Sequence, residues 1–150
     1  MRCADAIEKV TAKFPELLLP YKKKILQRLS GIEQQEVRWH VAPMLARLPL
    51  TRAEEDVAVN LLLGYTNDRS SIVKTMSMQA LADIALRSRR LLPEITQHIR
   101  ELTVIGTPAM KARGRKLLKS LANFARLDPA GRPTAWEPHS HGDSLRSHHG

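Results

Sequence analysis

A nine-residue pattern occurs three times in this chain and constrains its fold more than any other feature. Val73-Lys74 is followed by Ser77 and then by Ala80-Leu81. Val37-Arg38 is followed by Val41 and Met44-Leu45, and Met110-Lys111 by Gly114 and Leu117-Leu118. Each copy is an apolar-basic pair, a middle residue and an apolar pair, with Val41 larger than the other two middle residues. The copies are spaced by 36 and 37 residues. Cys3, Ala6 and Ile7 fit the end of a further copy whose basic pair would precede residue 1.

A period of this length is the signature of stacked helical hairpins. One hairpin cannot bury its apolar stripe alone, so it stacks on a copy of itself. The repeated apolar positions share one face of a helix, and small middle residues let neighbouring helices approach closely. Pro15, Pro49, Gly64, Gly106 and Pro108 punctuate the periodic segments, as residues that break or start helices do.

With these residues in view, the chain resembles the HEAT repeats of the armadillo-like superfamily. The likeness rests on the three apolar-basic pairs, on Asp68 in the loop before Val73-Lys74, and on the starts Leu18-Leu19-Pro20 and Leu91-Leu92-Pro93. It covers roughly residues 1 to 124. The resemblance implies an all-α superhelix, a solenoid of about three and a half helical hairpins. It also implies that second helices line a concave surface and that Arg38, Lys74 and Lys111 pair with loop acids in a structural ladder.

Element by element, a first helix is predicted over residues 2–13 with Ala6, Ile7 and Val10 on one face. A second follows Pro15, with a stripe of Leu18, Tyr21, Ile25 and Leu29, and ends at Ser30-Gly31. The third runs from Glu33 to Leu48 and should kink or split at Pro43. Thr51 and Glu54 form a capping box for the fourth, whose apolar face is Val57, Leu61 and Leu62 and which Gly64 closes. Ser70 or Ser71 caps the fifth, running to about Arg87. The sixth starts near Pro93, buries Leu92, Ile95, Ile99 and Leu102, and stops at Gly106. Thr107-Pro108 opens the seventh, which runs to about Phe124. Residues 125–150 are expected to be a flexible tail; from Asp128 its composition shifts to Pro, Gly, Ser and His, and 128–150 is expected to be mostly disordered. Leu127 and Trp136 are candidates to fold back on the seventh helix.

A length of 150 residues suits one domain. Apolar residues make up 43% and aromatics 4%, as helix-on-helix packing prefers, and alternating strand patterns are missing. No apolar run reaches the roughly 18 residues a membrane span needs, and no signal-peptide core follows the first residues. With Cys3 alone there is no disulfide framework. A cytoplasmic protein is expected, with Cys3 buried or half-buried in the first helix and no partner in a membrane.

The net charge is +9. All of the excess lies before residue 125, where 21 basic residues face 12 acidic ones. Such an excess favours polyanions or acidic partners. No Gly-rich phosphate loop, C-x-x-C or H-E-x-x-H motif is present, so no catalytic residue, resident metal or cofactor is expected. Some armadillo-like proteins excise alkylated DNA bases, but Tyr21, Trp39, Tyr65 and Trp136 are spread too widely to map such a site. His139, His141, His148 and His149, with Asp143, could chelate a metal weakly. Trp39 is expected in the core, or as an interface anchor, with His40 on the surface or satisfied by a partner.

A non-catalytic scaffold binding a protein partner is therefore the expected function. Its candidate contacts are the polar residues of the second helices: Lys23, Gln27, Glu55, Asn60, Gln97 and His98. The alternative is sequence-independent DNA or RNA binding through Arg89, Arg90, Lys111, Arg113, Arg115, Lys116 and Lys119. Uncapped end helices also make self-association an expectation.

Overall fold

Seven α-helices, and no β-strand, make up the regular structure of the described residues. The structure is a computed structural model in which residues 2–28 and 31–127 are described. In chain order the helices are α1 (Arg2–Lys13), α2 (Lys22–Arg28), α3 (Gln35–Arg47), α4 (Arg52–Tyr65), α5 (Ser71–Ala85), α6 (Leu92–Ile105) and α7 (Pro108–Ala125). A 3-10 segment, Pro15–Tyr21, precedes α2, and a shorter one, Arg89–Leu91, precedes α6. The expectations for Leu29, Ser30 and the tail from Asp128 onward, including Trp136 and the tail histidines, lie outside the described residues.

The helix starts follow from side-chain chemistry. Thr51 accepts from the Glu54 N–H at 3.3 Å, and Glu54 accepts from the Thr51 N–H at 2.8 Å, closing the capping box. Ser70 and Thr107 cap α5 and α7 by accepting from the Val73 and Met110 N–H groups. Pro108 occupies the first turn of α7, where its missing N–H costs nothing. The second hairpin arm differs from expectation. Pro15 and Pro20 bracket Leu17-Leu18-Leu19, and this run coils as a 3-10 helix before the α-helix begins at Lys22. Pro20 has no N–H to give, so an α-helix through it would lose a rung of its ladder. Pro43, in contrast, sits inside one continuous α3, held by packing on α1 and α5.

The odd-numbered helices pack in chain order, α1 on α3, α3 on α5 and α5 on α7. α4 lies against α3 and α5, α6 against α5 and α7, and α2 against α4. The core contains Leu45, Leu62, Met78, Leu81, Ile95, Ile99 and Leu121, all nearly inaccessible. The three middle residues of the repeated pattern, Val41, Ser77 and Gly114, are all buried. At Gly114 there is no room for more: a Cβ built there would overlap the Thr103 hydroxyl and lie 3.0 Å from the Thr103 Cβ. That glycine lets α6 and α7 meet.

Asp68 ties the loop between α4 and α5 to α3. It accepts from Arg38 Nη1 at 2.6 Å and from the Ser70 N–H at 2.8 Å. Arg38 also donates to the Ile32 carbonyl at 2.5 Å and lies over the Tyr65 ring. Burial works against the Asp68 carboxylate, but the Ser70 N–H, the Arg38 guanidinium and the Lys74 ammonium outweigh it and hold its pKa below the usual value. Of the anticipated ladder only the Arg38–Asp68 pair forms among the described residues; Lys74 lies near enough to lower the Asp68 pKa but makes no ion pair with it.

Several exposures differ from the sequence expectation. Ile7 and Val10 are about half exposed and face an apolar recess of ≈ 610 Å³ shared with Leu17, Tyr21 and Ile25. No further helix covers α1 on that side among the described residues, so its stripe is only partly buried. Cys3 is exposed, not buried, because it lies in the first turn of the end helix. His40 is buried rather than at the surface, stacked on half-buried Trp39, and its Nδ1 has no hydrogen-bond partner among the described residues.

Candidate functional site

The α2 and α4 helices stand apart enough to leave a groove between them. Two recesses, ≈ 260 Å³ and ≈ 560 Å³, share Leu26 and Val57 as a common floor. Lys23, Gln27 and Ala53 line one end, and Asn60, Leu61 and Gly64 the other, with Arg38 and Tyr65 at the far wall. Val57 is 49% exposed. It is a β-branched apolar side chain held on a rigid helix, with polar groups around it.

The groove exists because α4 has more apolar residues than one face can hide. Val57, Ala58 and Val59, and then Leu61, Leu62 and Leu63, are consecutive runs. Successive residues of an α-helix are about 100° apart, so such runs wrap around the axis. Ala58, Val59 and Leu62 go to the core. Val57 is left facing α2. The spacing between α2 and α4 is pinned at one end by Lys22, which donates to Glu54 at 2.7 Å and to the Pro49 carbonyl at 3.1 Å. Glu54 has its pKa lowered by the Lys22 hydrogen bond first and by the Thr51 N–H second.

Three of the six residues expected to bind a protein, Lys23, Gln27 and Asn60, meet in this groove. The other three have internal partners. Glu55 accepts from Ser88 Oγ at 2.9 Å and from Arg90 at 3.1 Å. Gln97 donates to Glu101 and accepts from Arg100 along α6. His98 Nε2 lies 3.0 Å from Thr66 Oγ1 and joins α6 to the end of α4. Leu26, Val57 and Leu61 were not among the expected contacts. The width of the apolar run in α4 was the available signal for them.

The residues expected to meet nucleic acid divide as well. Arg90 pairs with Asp56 at 2.7 Å and with Glu55. Arg89 donates to the Leu127 carbonyl at 2.6 Å and covers the Phe124 ring. Arg113 donates to Gln79 Oε1 at 2.8 Å. Lys111 is half-buried, while Arg115, Lys116 and Lys119 are exposed on α7.

A second recess, ≈ 630 Å³, opens across α1, α3 and α5, lined by Glu8, Arg47, Gln79, Asp83 and Arg87 among others. Arg47 pairs with Glu8 at 2.5 Å, Arg87 donates to the Ala46 carbonyl, and Gln79 donates to Asp83 at 2.9 Å. Burial raises the pKa of the Asp83 carboxyl, against the pull of Gln79 and of Arg87, Arg47 and Arg113.

Among the described residues no set of three or more His, Cys, Asp or Glu is placed to hold a metal ion. None of the described helices is long and apolar enough to cross a membrane. No protein-family model, curated protein or solved structure matches this chain.

Proposed function

We propose that this chain is a HEAT-like α-solenoid scaffold that binds a protein partner in the groove between α2 and α4. The observation that carries this reading is the half-exposed Val57, set with Leu26 and Leu61 in a trough rimmed by Lys23, Gln27 and Asn60. An apolar floor with a polar rim is the anatomy of a protein interface. The shape suits an amphipathic segment whose apolar side chains enter the trough. The serial packing of α1, α3, α5 and α7 at the repeat spacing supports the solenoid reading. A face built on packed helices needs little ordering on association. The role is non-catalytic, with no cofactor.

The test is capture from the source cell with the native chain and with Val57→Asp. Val57 is outside the core, so the variant should keep the native helical circular dichroism and shift the melting midpoint by only a few degrees. A partner retained by the native chain should be lost, with an affinity drop of about 30-fold or more for a charge placed on a buried interface floor, about 2 kcal/mol. Retention of every partner by Val57→Asp would sink this assignment.

A further inference from the structure

The charge on the outward face of α7 is all of one sign. Residues 108–125 hold five basic side chains and no acidic one. Met110, Gly114, Leu117 and Leu121 are buried, which turns Arg115, Lys116 and Lys119 outward. The side chains of these three make no hydrogen bond or ion pair with any described residue.

The positive charge continues beyond α7. Arg113, at the edge facing α5, reaches Gln79, and Gln79 lines the recess that holds Arg87 and Arg47. Arg113 and Arg87 both donate to neutral carbonyl oxygens, so neither charge is cancelled by a carboxylate in direct contact. Within the recess Glu8 is paired with Arg47, which leaves Asp83, bonded to Gln79, against Arg87 and the neighbouring Arg113. From α7 to Arg87, which reaches the Ala46 carbonyl of α3, the track covers two interhelical steps, roughly 20 Å. That is the axial length of about six base pairs.

We propose that this track, from Lys119, Lys116 and Arg115 over Arg113 to Arg87, binds the phosphate backbone of double-stranded nucleic acid without reading its sequence. It lies on a different surface from the α2–α4 groove and stands independently of it. Duplex is favoured over single strands because no aromatic ring is among the residues that line the recess, and α7 offers no free one. The one aromatic ring of α7, Phe124, is covered by Arg89, and single-strand binders depend on free rings. Arg90 and Arg47 are excluded from the track because carboxylates pair with them, Asp56 and Glu55 in the first case and Glu8 in the second, and Arg89 because it lies over the Phe124 ring at the end of α7.

The experiment is fluorescence anisotropy of the full chain with a labelled duplex of mixed sequence, titrated over a salt series. About five phosphate contacts give a log–log slope near −4.5, so affinity should fall about 500-fold between 50 and 200 mM salt. The triple variant Arg115→Gln, Lys116→Gln, Lys119→Gln should flatten the slope by about 2.7. A control triple, Lys13→Gln, Lys24→Gln, Arg28→Gln, removes the same charge from exposed sites on α1 and α2 and should leave the slope within experimental error. Absence of duplex binding at 50 mM salt would overturn the proposal, as would equal losses in the two triples, which would make net charge the cause. Tighter binding of a polyglutamate peptide than of duplex would overturn it in favour of an acidic protein ligand.

Discussion

Replacing Asp68 with alanine should cost about 2–4 kcal/mol, somewhat less than the roughly 3–5 kcal/mol of a fully buried pair because Arg38 keeps some solvent contact. Asp68 is 8% exposed and Arg38 half-buried. Without the carboxylate, Arg38 loses its 2.6 Å partner, the Ser70 N–H loses its acceptor, and Lys74 loses a neighbouring negative charge. The result is read by urea unfolding at neutral pH. The pH dependence gives a second check. The Asp68 pKa is depressed in the folded state, so its stabilisation is present above the unfolded value of about 3.9 and is lost as pH falls through the folded value. The gap between native and variant stability should therefore be full at pH 7 and shrink below about pH 4. A gap unchanged at pH 3 would show that the pair contributes by packing alone.

Gly114→Ala should destabilise the chain by about 1–3 kcal/mol, the cost of overpacking a tight contact. Helix propensity alone says the opposite, since alanine gains up to about 1 kcal/mol over glycine in a helix interior. Space decides the sign here. The new methyl would overlap the Thr103 hydroxyl, and that hydroxyl donates to the Ile99 carbonyl at 2.6 Å, which resists its rotation. Thr103→Ala in the same chain removes the obstructing atoms, so the double variant should recover at least half of the loss. Thermal unfolding of the four chains gives the coupling energy. Additive losses would mean that α6 and α7 separate freely and that Gly114 is not what sets their distance.

Much of this architecture could be read before any coordinates, and the reasons are local. Thr51 with Glu54, Ser70, and Thr107 with Pro108 announce helix starts because a cap acts within three residues. The Arg38–Asp68 contact could be anticipated only through the resemblance, which implies that the basic residue of one copy pairs with the loop acid of a neighbour. Where the sequence misled, the deciding atoms were remote in the chain. Arg90 looks like a free surface cation until Glu55 and Asp56, more than thirty residues earlier, fold beside it. Val57 reads as a core residue of α4, and only the placement of α2 exposes it. His40 and Trp39 are neighbours whose burial depends on how α3 is rotated, which the residues themselves do not fix. The 3-10 segment was hidden for another reason: Leu17, Leu18 and Leu19 suit an α-helix, and Pro20 overrides them.

The α5 helix touches α3, α4, α6 and α7, while α1 rests mainly on α3 and the 3-10 segment beside it. Resistance to local opening should be distributed in the same way, greatest at the middle and least at the amino-terminal end. A fluctuation that releases α1 uncovers one flank of α3 and leaves the packing around α5 in place. The molecule is then not equally cooperative along its length. It can loosen α1 while the helices packed around α5 keep their arrangement.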